Sequence, residues 1–538
     1  MSKTQQADAR RIYDLFHSYC GAYAGEWERL EKCERMYRGD HWYGVPEADK
    51  NEPRPMTPVI QSTIESVRAD LLDQLPEAVI TADDPEYEEA AGILSYIVAE
   101  NHQSQGFETE YARMTRDLLV GGYMVQEVGF DATLNRGLGA AFIRWVDNRS
   151  ILFDPSCADI QDSRAIFKIT PRHREWFAAR YPKEEKRMER DSFITRPGGD
   201  GFIRANDEHD VILFIECWLR EYDEESQRYS VHMLKLAGGV ILEDSRRERP
   251  DGYFSHGEYP FIVTPLFARK GTALGLGMVD MFETQQRYAD KLDQIVLKNA
   301  LMASRNKLLV TGASGFDADD LRDWAKEVHR GENLNGISWF ATAPLPAYII
   351  SYIQDIRESI KEESGANDFS RGGTTGGVTA ASAIIALQEA SSKRTRMAAR
   401  IVHGAFRQAV RQEIEVERDF CQFQRKVFIP RSGGASPALF SRETLYKVSA
   451  LGNSVPLEFK VSVKIQRESR FSVAAHNELI IQLVQLGMLT PEAGLEMMRF
   501  DGKAQAQSLM RRVKQDTLSA PGDTITLKGG GADEGVTP

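Results

Sequence analysis

The sequence predicts an α+β protein, and three observations lead there. Apolar residues recur at three- and four-residue steps over 7–38, 278–304 and 379–426, the period of helices with one buried face. Short apolar runs separated by turn-rich sequence fill 121–266, the pattern of antiparallel strands. Between two of the helical stretches lies an insert, 305–345, whose own runs alternate strand, helix and strand.

The opening helix, 7–38, carries Ile12, Phe16, Tyr19, Tyr23 and Leu30 on one face, with charges between them. A second helix follows Pro58, its Ile60, Ile64, Val67 and Leu71 stepping four, three and four. Pro76 ends it, 77–81 reads as a short strand, and 86–103 and 108–120 read as helices, the last broken by Gly121 and Gly122. The runs 123–130, 140–146, 165–170, 211–221, 229–236 and 261–266 then predict a meandering sheet. Its charged insertion, 174–208, predicts a small helix followed by a mobile loop around Pro197 to Gly201.

Beyond the sheet, 278–304 holds Phe282, Ala289, Leu292, Val296 and Leu301 in a helical stripe long enough to span roughly 40 Å. The insert predicts strands at 307–310 and 336–340 with a short helix at 317–328 between them. Ile349, Ile353, Ile356 and Ile360 mark another helix, opened by Pro346 and ended at Gly365. The polar, glycine-rich stretch 367–377 predicts an exposed loop. Thr379 then caps an alanine-rich helix that runs without proline to about 426, roughly 70 Å, with Gly404 as a candidate kink. Strand-like runs return over 426–463, helices follow at 476–487, 491–500 and 502–516, and 517–538 predicts a disordered tail.

Composition removes several function classes. With 67 basic and 79 acidic residues the net charge is -12, so gripping nucleic acid over the whole surface is disfavoured and any DNA contact is local or weak. Five scattered cysteines without a C-x-x-C pair predict reduced thiols rather than disulfides or a zinc site. No apolar stretch is long enough for a membrane span, and the polar first eleven residues do not read as a signal peptide, so a cytoplasmic chain is expected.

The catalytic motifs fail one by one. Gly372, Gly377 and Thr379 mimic the spacing of a phosphate-cradling loop, but Val378 stands where its lysine belongs and a helix precedes it in place of a strand. Gly271, Gly275 and Gly277 stop short of a dinucleotide fingerprint, with Asp280 at the third glycine position. The histidines show no H-E-x-x-H, and Gly312 to Gly315 is one residue too short for a nucleophile elbow. Neither an enzyme nor a cofactor is expected. One charge run stands out: 391–411 holds Lys393, Arg394, Arg396, Arg400, Arg407 and Arg411 and no acid. It reads either as a solvated or subunit-facing surface or as a contact to DNA phosphates.

Taken in order, Tyr37-Arg38-Gly39-Asp40-His41-Trp42, Pro58-Val59-Ile60, Leu118 to Tyr123, Phe153-Asp154-Pro155, and Gly376-Gly377-Val378-Thr379 running into Leu387-Gln388-Glu389-Ala390 resemble the portal proteins of tailed bacteriophages, particularly the short-tailed kind. The likeness covers about residues 8–515. It implies a homo-oligomeric ring, usually a dodecamer, at one capsid vertex, through which double-stranded DNA is packaged and ejected. Laid on this chain it implies a β-rich wing (1–277), stem helices (278–304 and 346–366), a clip (305–345), a tunnel loop (367–378), a long helix behind that loop (379–426), a β return to the wing (427–475) and a helical crown (476–516).

In the tunnel loop the resemblance points to Arg371, Gly372, Gly373, Thr374, Thr375, Gly376 and Gly377 as channel residues. In the clip it points to the aromatics Phe316, Trp324, Trp339 and Phe340 as core, as contacts between subunits or as docking contacts for the large terminase subunit. The implied partners are other copies of the chain, the DNA genome, terminase, major capsid and scaffolding proteins and tail adaptors, with no membrane. The implied location is the virion, reached from the host cytoplasm. Two alternatives stand beside it: an ATPase or nuclease of the packaging or tail apparatus with a divergent site, and another head-to-tail connector ring.

Overall fold

The computed structural model describes residues 3–46, 52–73, 75–189, 211–223, 227–304, 307–317, 319–323, 326–340, 343–365, 393–431, 434–448, 454–465 and 470–498. They fall into two units, Met1–Ile465 and Gln466–Pro538.

The first unit opens with helices α1 (Lys3–Tyr37) and α2 (Val59–Leu72). Their apolar stripes are buried as the spacing predicts, Phe16 and Tyr23 on α1 and Ile64 and Leu71 on α2 among them. Strand β1 (Pro76–Ala82) and helices α3 (Glu88–Ser104) and α4 (Phe107–Gly121) follow within one or two residues of the expected bounds.

Next come β2 (Tyr123–Asp131), β3 (Ala140–Val146), β4 (Ile151–Leu152), β5 (Ala165–His173), helix α5 (Arg174–Arg180), β6 (Val211–Asp223), β7 (Arg228–Ala237), β8 (Val240–Asp244), β9 (Phe261–Pro265), β10 (Phe267–Ala268) and β11 (Gly275–Leu276). The single expected meander is in fact two main sheets. One is the meander β4-β5-β6-β7-β8; the other is three-stranded, β3-β2-β9. Strand β2 is buried along nearly its whole length, so it takes a central position and pairs with distant β9 as well as neighbouring β3. Lys168 on β5 ties the sheets together, its ammonium 2.7 Å from Glu127 on β2 and 3.0 Å from Glu216 on β6. The expected small helix after β5 is α5; the expected mobile loop lies outside the described residues.

Helix α6 (Met278–Ser304) has the expected bounds. A hairpin of β12 (Lys307–Val310) and β13 (Ile337–Phe340) comes next, then helix α7 (Tyr348–Ser364), which packs antiparallel to α6. The short helix expected over 317–328 is a correction: the described residues there form turns. The Asp317 carboxylate accepts from the Asp319 amide and the Leu321 amide bonds the Asp317 carbonyl, both at 3.1 Å, a single capped turn that the described residues do not continue; Asp320 instead turns its carboxylate to Lys326 and His329.

Helix α8 (Lys393–Phe420) ends six residues before the expected limit of 426. The chain turns back there because Arg425 is drawn inward, its guanidinium 3.3 Å from the buried carboxylate of Glu417 and 2.7 Å from the Gly139 carbonyl. The helix runs unbroken through Gly404, and 379–392 lies outside the described residues. Strands β14 (Arg425–Arg431), β15 (Gly434–Phe440), β16 (Tyr446–Val448), β17 (Ser454–Pro456) and β18 (Phe459–Ile465) complete the unit. Of these, β18 pairs with β1 near the other end of the chain. All ladders among the described residues are antiparallel, as an α+β class requires.

The second unit contains α9 (Arg470–Gln485), which begins six residues before the expected 476, and α10 (Pro491–Met497). Thr490 caps α10 by accepting from the Ala493 amide at 3.3 Å. The expected helix at 502–516 and the expected tail lie outside the described residues.

Candidate functional site

Two constructions in the first unit carry features with no purely internal explanation: the helix pair α6 and α7 with its hairpin tip, and the outer face of α8.

The base of α6 is fixed by charge. Asp280 accepts from the Gly277 amide at 2.8 Å, capping the helix, and from Arg29 of α1 at 2.5 Å. Arg29 also reaches Glu26 at 2.6 Å and the Gly121 carbonyl at 2.7 Å. Glycine permits this approach. A Cβ on Gly275 would stand 2.3 Å from the Gly122 carbonyl oxygen, and Gly122 itself has a φ of +94°. The Gly121-Gly122 break and the Gly271, Gly275, Gly277 cluster are thus two halves of one backbone crossing, with no nucleotide geometry about them.

Further along α6, His41 from the loop after α1 is buried against Asp290, Nδ1 to Oδ2 2.6 Å. Gln286 donates to Asp290 at 3.0 Å and to the Thr57 carbonyl at 2.8 Å. Arg357 of α7 donates to the Thr57 hydroxyl at 3.1 Å and pairs with Asp293. His41 and Thr57 therefore hold both helices at once, which accounts for His41 in the sequence pattern. Trp42 anchors the loop by donating to the Pro55 carbonyl at 2.9 Å.

At the tip, Trp339 is 67% exposed and Leu334 is 81% exposed, so neither is core. Phe316 is half-buried, packed beside Gly331. Phe340 pairs with Lys307 across the ladder, and Trp324 lies outside the described residues. The structure therefore brings Phe316, Trp339 and Phe340 into one short hairpin module.

Helix α8 buries Val402, Phe406, Ala409 and Val410 against the β2, β3 and β9 sheet. Two of its buried carboxylates are paired. Glu413 meets His102 at 2.9 Å, and Glu417 accepts from the Ala141 amide at 2.9 Å and from Asn101 at 3.2 Å. Burial pushes the Glu417 carboxyl up, opposed by the Arg425 charge.

On the outer face Arg400, Arg407 and Arg411 are exposed and have no side-chain partner among the described residues. Arg396 is half-buried and engaged, and Lys393 and Arg394 form the first turn of the helix. Beside Arg407 and Arg411 opens a cleft of about 810 Å³ whose other wall holds Asp83, His256 and Glu458. Arg371, Gly372, Gly373, Thr374, Thr375, Gly376 and Gly377 lie outside the described residues.

Sequence reasoning missed one set of positions. Met281, Tyr288, Ile295 and Met302 stand exposed along α6, seven residues apart, next to the buried stripe of Phe282 and Ala289. Leu301, expected in the buried stripe, is 44% exposed. The seven-residue repeat was the available signal, masked because both stripes are apolar.

All five cysteines are free, and no helix among the described residues is long and apolar enough to cross a membrane. A search of curated proteins finds no match to the chain. The family model described as Phage P22-like portal protein matches residues 13–523, almost the full length. That match spans the helix pair, its tip and the basic helix alike, and on its strength the chain belongs to the phage P22-like portal protein family.

Proposed function

We propose that this phage portal and head-tail connector protein assembles as a closed ring of about twelve copies at one capsid vertex, and that DNA passes through its centre during packaging and ejection. The observation that carries the reading is the family match over residues 13–523. In this reading α6 and α7 are the stem, 305–345 the clip, 367–378 the tunnel loop, 379–426 the helix behind it and 476–516 the crown. Residues 1–277 and 427–475 make the wing.

The chemistry of the chain supports such a channel. DNA that must slide in both directions cannot be held tightly, and a net charge of -12 keeps general phosphate affinity low. A glycine-rich loop with Arg371 as its one basic residue supplies a single steering charge per copy. The exposed side chains of Trp339 and Leu334 support a docking role for the hairpin tip, with the large terminase subunit as the partner. Capsid, scaffolding and tail adaptor proteins are the other partners, met first in the host cytoplasm.

Native mass spectrometry of the purified full chain tests the architecture. A closed species near twelve copies is expected. A monomer that hydrolyses ATP would overturn the reading in favour of a packaging enzyme.

A further inference from the structure

Helix α6 presents Met281, Tyr288, Ile295 and Met302 at seven-residue intervals, each between 40% and 59% exposed. Four large apolar side chains in one line on a solvent-facing helix are the signature of a seam awaiting a partner. Lys291 lies on the same stripe, exposed and without a partner among the described residues. Helix α7 presents a different face. Tyr348 and Tyr352 are 69% and 55% exposed, and one helical step on come Asp355, Glu358 and Glu362, all exposed and unpaired among the described residues. One face is apolar and basic, the other aromatic and acidic.

We propose that the α6 face of one copy seats against the α7 face of the next copy, with Lys291 meeting Asp355 and Glu358 and with Ile295 and Met302 packing on Tyr352 and Tyr348. The proposal rests on the ring reading above and names the surface that builds it. Heights along the helix pair support the register. Within one chain, Gln285 reaches Glu363 at 3.4 Å, Asp293 pairs with Arg357, and Asn299 donates to the Ala343 carbonyl at 3.1 Å. Lys291 therefore stands level with Glu358, and Met302 nearly level with Tyr348. A rotation about an axis along the helix pair preserves those levels, so the complementary groups meet.

The charge pattern also selects the kind of contact. Pairing α7 with α7 sets three carboxylates against three, and pairing α6 with α6 sets Lys291 against itself. Like charges across an interface suppress both two-fold arrangements. Only the head-to-tail contact matches, the kind that builds a ring where its rotation closes.

The test uses two full-length variants, Lys291→Glu and the double substitution Asp355→Lys with Glu358→Lys. All three positions are exposed on helices whose buried faces are untouched, and circular dichroism melts matching the unsubstituted protein hold the fold constant. Each variant alone places like charges at every junction. The concentration for half-assembly at low salt is expected to rise about tenfold or more. Mixed one to one, the variants restore every junction by alternating, and native mass spectrometry is expected to show rings with equal numbers of each. Unimpaired assembly of either variant alone overturns the proposal. So does a mixture of folded variants that assembles no better than its parts. Failure of the unsubstituted chain to form any closed ring removes the ring reading itself, a separate result.

Discussion

Replacing Asp117 with Asn is expected to stabilise the protein at alkaline pH while leaving it unchanged in acid. Asp117 sits on α4 with 8% of its surface exposed and accepts from the Trp145 indole at 2.8 Å. Burial pushes its carboxyl up to about 7, with Asp147 adding to the rise; the Trp145 bond and the charges of Arg116 and Arg149 oppose it. In the unfolded chain an aspartate titrates at about 3.9. Between those values the unfolded state releases a proton that the folded state keeps, so stability falls as pH rises from about 4 to about 7 and is level beyond.

A difference of about three units at about 1.4 kcal/mol each gives an upper bound of about 4 kcal/mol, and relaxation around a charged neighbour brings the expectation to about 2–4 kcal/mol. Asn keeps the oxygen that Trp145 needs and carries no charge to desolvate. For a cooperative unit of this size the gain corresponds to a rise of about 2–4 °C in Tm. Scanning calorimetry of both proteins at pH 4, 6 and 8 reads it as the difference between variant and parent. The difference is near zero at pH 4 and largest at pH 8. A variant that tracks its parent at every pH, or is less stable at pH 8, refutes the reasoning and shows that Arg116 and Arg149 hold the carboxylate ionised.

Gly275→Ala forces a Cβ to within 2.3 Å of the Gly122 carbonyl oxygen, a backbone clash, and is expected to cost about 3 kcal/mol or more by urea denaturation. Glu417→Gln leaves Arg425 buried opposite a neutral group and is expected to cost about 3 kcal/mol in the same assay, whereas an unchanged midpoint means that the pair adds nothing. Replacing Gly372, Gly373, Gly376 and Gly377 with Ala is expected to leave ring assembly intact and lower the DNA packaged per capsid; normal packaging removes the tunnel-loop assignment. Deleting 305–345 is expected to abolish terminase capture in a pull-down, and retained capture places the motor contact elsewhere.

What the sequence disclosed was local. The stepping of Ile60, Ile64, Val67 and Leu71 located α2 because burial on one side of a helix writes its period directly into the chain. The apolar runs at 140–146 and 211–221, bounded by turn-rich sequence, located β3 and β6 because buried strands collect apolar residues. Partners were not legible. Nothing in 76–82 announces that its neighbour is 459–465, nor in 123–131 that β9 will lie beside it, since a strand's own pattern records burial and not identity.

Over 317–328 the described residues make single turns in place of the expected helix, with Asp320 drawn to Lys326 and His329, contacts that apolar spacing does not register. The end of α8 was misplaced because a buried arginine, Arg425, pulls the chain inward, and sequence alone reads arginine as surface. At the candidate site the hairpin and the basic run were visible, while the seam on α6 was hidden behind a second apolar stripe. His41 was legible only as part of a pattern; its carboxylate partner lies 249 positions away.

The pairing of β1 with β18 sets a clock on synthesis. Val79 and Ser462, joined across that ladder, are 383 positions apart. At ribosomal speeds of about 5–20 residues per second, β1 waits on the order of 20–80 seconds for this ladder partner to emerge. Throughout that interval the nascent chain carries an unzipped strand edge, open to any other extended segment. Polysomes bring such chains close together while helices α6 and α7 are already outside the tunnel. The last strand of the first unit thus acts as a completion mark, and a chain released before residue 459 leaves the ribosome with β1 unpaired.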